Sequence, residues 1–254
     1  MVEPARRVVV SGGSGGIGQA VVYAHARAGD SVVALGRSAE RLGALEEEAR
    51  QAGLDVTGRV CDVTDEDRVT TVVDELGAVD VLVNNAGTAE TAHLRDTGLD
   101  SWERQLRTNA TSAFLLTRAV LPGMVERDTG RVVFVASTAA HQGSRYTAAY
   151  TASKHAMLGL ARAVAAEVAG TGVTSNAVCP AFVRTPMTER SVSRIVERTG
   201  RDGRQAEAAL ASSAPLGRLV EPEEVAAAVT YLTSAESAAV NGQSLNLDGG
   251  GIQR

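Results

Sequence analysis

The sequence predicts an α/β fold in one domain: a doubly wound parallel sheet of seven strands with helices on both faces. Short β-branched runs alternate with longer segments of helical period, which is typical of βαβ units. The strand candidates are apolar rather than alternating, as expected when helices cover both faces of a sheet. The 254 residues contain no proline- or serine-rich linker and no internal repeat, so nothing divides the chain.

The seven predicted strands are spaced as helical crossovers require. Right-handed crossovers between them would build an open sheet whose ligands bind beyond the carboxyl ends of the strands. The predicted strands are residues 7–10, 31–35, 55–60, 79–83, 131–136, 173–178 and 244–247. Three prominent helical patterns cover residues 19–28, 113–125 and 150 to about 169.

Composition excludes several classes of protein. A hydrophobic content of 44% is enough to bury a sizeable core, which argues against disorder. Two cysteines cannot build a disulfide framework, the first residues lack the apolar stretch of a signal peptide, and no apolar run reaches the roughly 18 to 20 residues of a membrane span. The cysteine usage and the missing signal peptide predict a protein of the reducing cytoplasm, and with a net charge of −5 spread along the chain we expect neither membrane nor nucleic acid as partner.

One stretch, at about 184–218, departs from the βα rhythm. It is rich in arginine and holds no strand candidate. A polar helical insert directly after a sheet strand predicts a lid over the ligand site, and a solvated helical pair is the alternative.

A glycine-rich turn follows the first strand and opens a helix. Glycine lets the backbone approach a pyrophosphate, whose charge the N–H groups and dipole of the helix start stabilise. Two spacings fit the turn, G-x-G-x-x-G at Gly13, Gly15 and Gly18, or G-x-x-x-G-x-G at Gly12, Gly16 and Gly18. A packing turn without a ligand is the alternative.

The end of the second strand discriminates between dinucleotides. A carboxylate there would bind the ribose hydroxyls of NAD, but the sequence reads Leu35-Gly36-Arg37-Ser38. A guanidinium and a hydroxyl suit a 2′-phosphate, so Arg37 and Ser38 favour NADP. The alternative is that Arg37 merely begins a solvated helix.

Three residues suggest chemistry at the same sheet edge. Tyr150 and Lys154 are one helical turn apart, and Lys154 is the one lysine among 25 basic residues. A cation about 4 Å from a phenol would favour phenolate by about three pK units, and burial would oppose part of that shift, so Tyr150 is expected to work near neutral pH. Ser137 ends the fifth strand, where its hydroxyl could hold a substrate carbonyl oxygen.

Taken together, these motifs resemble the short-chain dehydrogenase/reductase family over nearly the whole chain, from Ser11 to Gly250. The motifs that carry the resemblance are the glycine turn, Cys61-Asp62-Val63, Asn84-Asn85-Ala86-Gly87, Asn109, Ser137, Tyr150 with Lys154, Asn176-Ala177-Val178-Cys179-Pro180 and Asp248-Gly249-Gly250. The resemblance implies a single Rossmann-fold domain and hydride transfer from nicotinamide without a metal.

The resemblance also assigns roles to individual residues. It implies that Tyr150 is the general acid, Ser137 orients the carbonyl, Lys154 binds the nicotinamide ribose, and Asn109 holds a water in a proton relay. It places the cofactor against Gly12, Ser14, Gly16, Ile17, Gly18, Arg37, Ser38, Asp62, Val63, Asn85, Ala86, Gly87, Tyr150, Lys154, Pro180, Ala181, Val183 and Thr185.

Departures from the family pattern are few. Ser11 stands where threonine is usual, and Ala181 follows Pro180 where glycine is usual. Ser175 replaces an apolar residue in a predicted strand and must find a hydrogen bond if it is buried. None of these changes removes a catalytic group.

Within the family, the stretch from Ala136 to Gly143 is similar to ketoreductases that act on polyketides, in particular aromatic ones, and on 3-oxoacyl chains linked to a carrier protein or coenzyme A. The resemblance therefore implies NADPH-dependent reduction of a ketone. An NAD-linked alcohol dehydrogenase working in oxidation and a non-catalytic NADP-binding sensor are the alternatives.

Further expectations concern side chains beyond that set. The cysteines are predicted to be core residues, Trp102 a packing residue, and His93 and His141 either substrate contacts or solvent-facing loop residues. The helix at 150–169 carries more apolar surface than one sheet face requires, so the protein is predicted to be a homodimer or homotetramer through this helix and the one at 113–125.

Overall fold

The computed structural model describes residues 5–253, and within that range the chain forms one sheet of seven parallel strands. The strands are β1 (Arg7–Ser11), β2 (Ser31–Gly36), β3 (Val56–Val60), β4 (Val81–Asn84), β5 (Gly130–Val135), β6 (Val173–Pro180) and β7 (Ser244–Leu247). The predicted fold class and all seven predicted strands are confirmed, with ends that shift by one or two residues. The expectation about the first residues of the chain lies outside the described range.

Helices connect the strands across both faces. In the described range they are α1 (Gly16–Arg27), α2 (Ala39–Gln51), α3 (Glu66–Leu76), α4 (Leu99–Leu106), α5 (Ser112–Glu126), α6 (Ala148–Glu167), α7 (Pro186–Thr199), α8 (Gly203–Ala211) and α9 (Pro222–Thr233). Side-chain caps fix several of their starts, because Ser38, Asp65 and Thr185 each accept a hydrogen bond from a first-turn N–H.

The strand order is β3-β2-β1-β4-β5-β6-β7. The chain therefore reverses direction across the sheet between β1 and β4, which are paired in register through Val8 with Val81 and Val10 with Val83. Crossover loops on the two sides of this switch point lead away from each other and leave a crevice at the carboxyl ends of the strands. A dinucleotide site is expected there.

Alternate strand residues feed two separate apolar cores. Val9, Leu82 and Phe134 belong to the core under α3, α5 and α6, whereas Val8, Val10 and Val83 belong to the core under α1 and α9. Phe134, Val8, Val10 and Val83 are fully buried. The central strands thus have apolar side chains on both faces because both faces are covered.

The edge strands do not follow that pattern. The prediction that all strands are apolar and covered is wrong for β3, which contains Thr57 and Arg59 and leaves Val60 46% exposed. It is also wrong for β7, where Leu245 is 39% exposed. An edge strand has a neighbour on one side only, so less of its surface is enclosed.

Helix α6 has less spare apolar surface than the sequence suggests. Six of the eight apolar side chains that were expected to exceed one sheet face are buried within the chain itself: Met157, Leu158, Ala161, Val164, Ala165 and Val168. Leu160 is partly buried and Ala169 is exposed. The helix packs on the sheet and on α4 along a broad face and therefore leaves less apolar surface for a subunit interface than predicted.

Two predictions about polar and sulfur atoms in the core are confirmed. Cys61 and Cys179 are buried free thiols. Ser175 is fully buried, and its hydroxyl donates to the Ala161 carbonyl oxygen at 2.8 Å, which supplies the required hydrogen bond.

Neither a membrane-crossing helix nor a metal-binding group is present in the part of the chain that the structure describes. No helix there is long and apolar enough to cross a membrane. No group of three or more His, Cys, Asp or Glu side chains there is arranged to hold a metal ion.

Candidate active site

A cavity of about 1050 Å³ lies along the carboxyl edge of the sheet and brings the predicted site residues together. Most of the residues predicted to act in catalysis or to bind the cofactor line it: Gly12, Ser14, Gly16, Ile17, Arg37, Ser38, Asp62, Val63, Asn85, Ala86, Gly87, Ser137, Tyr150, Lys154, Pro180, Ala181, Val183 and Thr185. Gly18 and Asn109 lie behind this lining. Residues far apart in the chain meet here because parallel strands end at the same edge.

Backbone angles distinguish the two possible readings of the glycine turn. Gly12 and Gly16 have φ of 65° and 54°, in the left-handed region that side chains disfavour. A Cβ on Gly18 would collide with the Gly12 carbonyl oxygen and lie 2.6 Å from Asn85 Nδ2. The G-x-x-x-G-x-G spacing is therefore the one that the conformation requires, and the close approach at Gly18 joins the turn to the start of α1.

The turn is tied to β4 by side-chain hydrogen bonds. Ser11 Oγ accepts from the backbone N–H groups of Asn85 at 2.9 Å and Ala86 at 3.0 Å. Asn85 Nδ2 donates in return to the carbonyl oxygens of Ser11 at 2.9 Å and Gly12 at 3.2 Å. Serine in place of threonine keeps the hydroxyl that this arrangement needs, so the two loops at the switch point are held as one surface.

Arginine dominates the end of β2. Arg37 is exposed at the cavity, while the Ser38 hydroxyl caps α2 by accepting from Arg41 N at 3.2 Å. Arg41 also lines the cavity, and its Nη2 donates to the Ser14 carbonyl oxygen at 2.9 Å. The pKa of Asp62 is lowered, first by hydrogen bonds from Thr64 and further by the nearby Arg37 charge. Two guanidinium groups thus line the cavity where β2 ends beside the glycine turn.

Sequence reasoning missed Arg41. The residue lies four positions after Arg37, in the first turn of α2, whose remaining surface is charged, so it resembles any solvated helix residue. Its spacing from Arg37 was the signal that could have found it. The fold gives it a separate role, because α2 starts beside the glycine turn and directs the side chain across it.

Ser137, Tyr150 and Lys154 are assembled by β5 and α6. Ser137 follows β5 in extended conformation, and its Oγ accepts from Ala139 N at 3.1 Å. Tyr150 and Lys154 lie in the first two turns of α6, with Lys154 Nζ 5.8 Å from the centre of the Tyr150 ring. Lys154 Nζ donates to the Val135 carbonyl oxygen at 3.0 Å, so the ammonium is anchored to the strand that carries Ser137.

The electrostatics of this group differ from the expectation. Burial raises the pKa of the Tyr150 hydroxyl above its ordinary value, and a hydrogen bond with the Ser137 side chain offsets part of the rise. Burial also lowers the pKa of Lys154 to about 8. Burial thus opposes the predicted shift of Tyr150 towards phenolate, and Lys154 bonds to the Val135 carbonyl oxygen rather than to the phenol.

Asn109 owes its position to a distortion of the helix that contains it. A π-helical turn at Arg107–Thr111 separates α4 from α5. Asn109 is fully buried there: its Oδ1 accepts from Thr88 N at 2.7 Å, and its Nδ2 donates to the Thr88 carbonyl oxygen at 3.0 Å and to Ser153 Oγ at 2.8 Å. Ser153 donates to the Tyr150 carbonyl oxygen at 2.7 Å, so Asn109 joins the β4 loop to the start of α6.

Helix α7 forms the outer wall of the cavity. Thr185 caps its start and Thr188 Oγ1 donates to the Val183 carbonyl oxygen, which fixes the helix to the end of β6. Met187, Arg190, Ser191, Arg194, Ile195, Arg198 and Thr199 line the cavity from this helix, and Leu210 and Ser213 line it from the region of α8. The predicted helical insert is thus present, and its first helix faces the site.

The other side chains singled out in the sequence, His93, His141 and Trp102, are not among the residues that line the cavity. His93 is exposed and packs edge-on against Tyr146, with ring centres 4.6 Å apart, and Tyr146 lines the cavity with φ of 69°. His141 is half-buried and is not among the residues that line the cavity. Trp102 is partly buried on α4. Burial raises the pKa of the Cys179 thiol to about 11, which does not suit a nucleophile.

Comparisons with known proteins agree on one family. A family model described as short chain dehydrogenase matches residues 6–195. The "Granaticin polyketide synthase putative ketoacyl reductase 1" of Streptomyces violaceoruber is 40% identical, over 95% of this chain and 91% of that protein. The 3-oxoacyl-(acyl-carrier-protein) reductase FabG of Thermotoga maritima is 35% identical, over 95% of this chain and 96% of that protein.

A solved structure extends the likeness to three dimensions. A crystal structure of an actinorhodin polyketide ketoreductase variant with NADPH is 38% identical in sequence and superposes with a TM-score of 0.91, covering 97% of both chains. A likeness of this size covers the sheet, the cavity edge and the helices around it.

Proposed function

Because the chain belongs to the short-chain dehydrogenase family, we propose that it reduces a ketone to a secondary alcohol at the expense of NADPH. The observation that carries this proposal is the assembly of Ser137, Tyr150 and Lys154 at one end of a cavity whose other end holds the glycine turn and two arginines. The glycine turn and the arginines suit the phosphates of a dinucleotide, and Ser137, Tyr150 and Lys154 would then lie near its nicotinamide.

The cavity suits NADPH on two grounds. A side chain at Gly12 or Gly18 would meet neighbouring backbone and Asn85, so glycine lets the turn fold tightly against the start of α1, whose N–H groups suit a pyrophosphate. Arg37 and Arg41 supply positive charge where the 2′-phosphate would lie, and no carboxylate follows β2 directly. When bound, NADPH supplies the hydride from its nicotinamide ring.

Tyr150 is the proposed proton donor. The raised pKa of its hydroxyl keeps the phenol protonated across the physiological range, which is the form that gives a proton to a carbonyl oxygen as negative charge develops there. Ser137 would hold that oxygen through its hydroxyl. An NAD-linked alcohol dehydrogenase, the alternative, would use the same hydroxyl as a base in its phenolate form, but the carboxylate that NAD favours does not follow β2 directly.

Other residues would bind and position. Lys154 would bond the ribose hydroxyls next to the nicotinamide, and Asn109 would hold the loop of Thr88 against the start of α6 and support a proton relay through a water. Asp62 and Val63 would contact the adenine, residues 85–87 the adjoining ribose, and Val183 and Thr185 the carboxamide. We propose α7 and α8, within the segment 184–218, as a lid over the substrate, and a single domain for the whole chain.

The substrate class follows from the relatives. The granaticin and actinorhodin proteins are named for polyketide synthesis and FabG for 3-oxoacyl groups on a carrier protein. We propose that the ketone belongs to a polyketide, aromatic ones included, or to a 3-oxoacyl chain. A sensor that only binds NADP would have no use for Ser137, Tyr150 and Lys154 together.

The test is consumption of NADPH on a panel of polyketide and 3-oxoacyl ketones. Tyr150→Phe should abolish turnover and leave NADPH binding, measured by cofactor fluorescence, within about twofold of wild type, because the phenol proton is lost while the ring remains. Tyr231→Phe is the matched control, since Tyr231 is 49% exposed on α9 and does not line the cavity. Unchanged turnover in Tyr150→Phe would contradict the assigned role.

Assembly and compartment are also proposed. Phe114 and Val125 on α5 are each 42% exposed, which supports burial of α5 against another subunit in a homodimer or homotetramer. Light scattering that gives a monomer mass at micromolar concentration would contradict it. Two buried thiols without a disulfide suit the reducing cytoplasm.

A further inference from the structure

The cavity carries far more positive charge than the rest of the chain. The protein has a formal net charge of −5, yet eight arginines and Lys154 line the cavity, and Asp62 is the one carboxylate among the described residues of that lining. Low-dielectric walls concentrate such a field within a cleft and attract anions. The ligands of this site are therefore expected to be strongly anionic.

The cofactor accounts for part of this charge. Arg37 and Arg41 lie beside the glycine turn, and Arg107 lies near Asp62 and Thr64, with its Nη2 donating to the Thr64 carbonyl oxygen at 3.2 Å. These three belong to the adenosine and phosphate end of the proposed NADPH site. The remaining arginines lie at the other end, where the substrate would enter.

Three of them form one row, which we call the lid arginines: Arg190, Arg194 and Arg198 on α7. Their spacing of four residues places them on one face of the helix over about 12 Å, and all three line the cavity. Arg184 and Arg218 nearby each have a carboxylate partner within 3.1 Å. Among the described residues, by contrast, no lid arginine forms an ion pair with a carboxylate within 4 Å.

Arg194 differs from the outer two. It faces Glu90, whose pKa is lowered to about 2, first by the bidentate pair with Arg104 and in smaller part by the Arg194 charge. Glu90 therefore balances part of the charge at the middle of the row. Arg190 and Arg198 are exposed to solvent at the cavity, where a ligand can reach them.

We propose that the lid arginines bind the phosphate of a phosphopantetheine arm that carries the ketone as a thioester. Guanidinium groups pair with phosphate oxygens in a forked geometry, and the row leads outward from Thr185, next to the proposed nicotinamide position, so it tracks a long chain leaving the reacting carbon. This inference rests on the proposed ketone reduction. Coenzyme A and a carrier protein both present this phosphate, and the experiment distinguishes them.

The first measurement does not need turnover. Calorimetry on the enzyme saturated with NADP should find 4′-phosphopantetheine bound about tenfold more tightly than pantetheine, since solvent-accessible ion pairs contribute about three- to fivefold each. This advantage should shrink to about twofold or less in the double variant Arg190→Gln with Arg198→Gln, and it should fall with added salt. Arg201→Gln, an exposed arginine outside the cavity lining, is the matched control and should keep the advantage.

The second measurement identifies the source of the phosphate. The 3-oxobutyryl thioesters of coenzyme A, of a carrier protein and of N-acetylcysteamine are compared, the last without a phosphate. In the double variant, the KM of a phosphate-bearing thioester relative to that of the N-acetylcysteamine thioester should rise about tenfold. A rise for coenzyme A alone, for the carrier protein alone or for both supports the proposal and names the physiological arm.

Three results would overturn the proposal that the lid arginines bind this phosphate. The proposal is overturned if wild type shows no preference for 4′-phosphopantetheine over pantetheine, if the double variant keeps that preference, or if the KM values of all three thioesters rise together, which would indicate a change in the fold of α7. If wild type reduces no ketone at all, the proposed function fails, and calorimetry still decides whether the lid arginines bind the phosphate.

Discussion

Lys154 offers a direct probe of the site because it is the one lysine in the chain. Burial lowers its pKa to about 8, and Nζ is held by the Val135 carbonyl oxygen at 3.0 Å and lies 3.7 Å from Met157 Sδ. A lysine with a lowered pKa is charged below pH 8 and loses its proton as the pH rises through that value. Only the neutral amine reacts with acylating reagents, so the rate of modification reports the titration.

The size of the effect follows from the two pKa values. At pH 7, an amine with a pKa of about 8 is about one-tenth neutral, whereas an ordinary lysine near 10.4 is neutral in about one molecule in 2500. The acylation rate of Lys154 in the free enzyme should therefore reach half its maximum near pH 8. Bound NADP should slow it strongly, since Lys154 lines the cavity.

Peptide mass spectrometry after timed acetylation measures this rate at each pH. It separates Lys154 from the N-terminal amine, which titrates in the same range at about 7.7 to 8.0. The variant Arg201→Lys adds an exposed lysine to the same protein as an internal reference, with half-maximal rate above pH 10. A midpoint for Lys154 equal to that of the reference would refute the burial argument, and equal rates with and without NADP would refute its placement in the cofactor site.

Four further substitutions, in three experiments, test the rest of the site. Gly18→Ala should lower the free energy of unfolding by about 1 to 3 kcal/mol in urea denaturation, because the added methyl meets the Gly12 backbone. The control Gly43→Ala, at an exposed position of α2 with open space around it, should raise that free energy by about 0.5 to 1 kcal/mol, and equal effects of the two changes would contradict the packing argument. Arg37→Ala and Arg41→Ala should each raise the KM for NADPH about tenfold and leave that for NADH nearly unchanged in steady-state assays; a parallel rise for NADH would show that neither side chain reads the 2′-phosphate. Asn109→Asp removes the two N–H donors that bond to the Thr88 carbonyl oxygen and to Ser153 Oγ, and places an acceptor there instead. Thermal unfolding should show a loss of about 3 kcal/mol of stability, and a loss below 1 kcal/mol would mean that these hydrogen bonds matter little.

The succession of strands and helices along the chain could be read from the sequence because it depends on local patterns. Buried central strands show as apolar runs, and the helices between them show a period near 3.6. The edge strand β3 was assigned correctly, although its composition was misjudged, since Thr57 and Arg59 stand in it and its faces are only half covered. Burial depends on neighbours, which a local pattern does not contain.

Other features depend on contacts between distant segments. Two glycine spacings fitted the turn equally well, and the positive φ at Gly12 and Gly16 distinguishes them. The π-helical turn that aims Asn109 at Thr88 leaves no periodic signal in five residues. Arg41 reaches the turn only because α2 starts beside it.

The sequence by itself determined the fold class, the family and the identity of the side chains that meet at the sheet edge, since residue types and their spacing are fixed along the chain. Only the tertiary structure decided the surroundings of those side chains. Spacing alone suggested that Lys154 would draw Tyr150 towards phenolate, but in the fold desolvation raises the pKa of Tyr150 and lowers that of Lys154, and the ammonium bonds to the Val135 carbonyl oxygen. A pKa depends on hydration and on charges around the group, and both are set by parts of the chain that are distant in sequence.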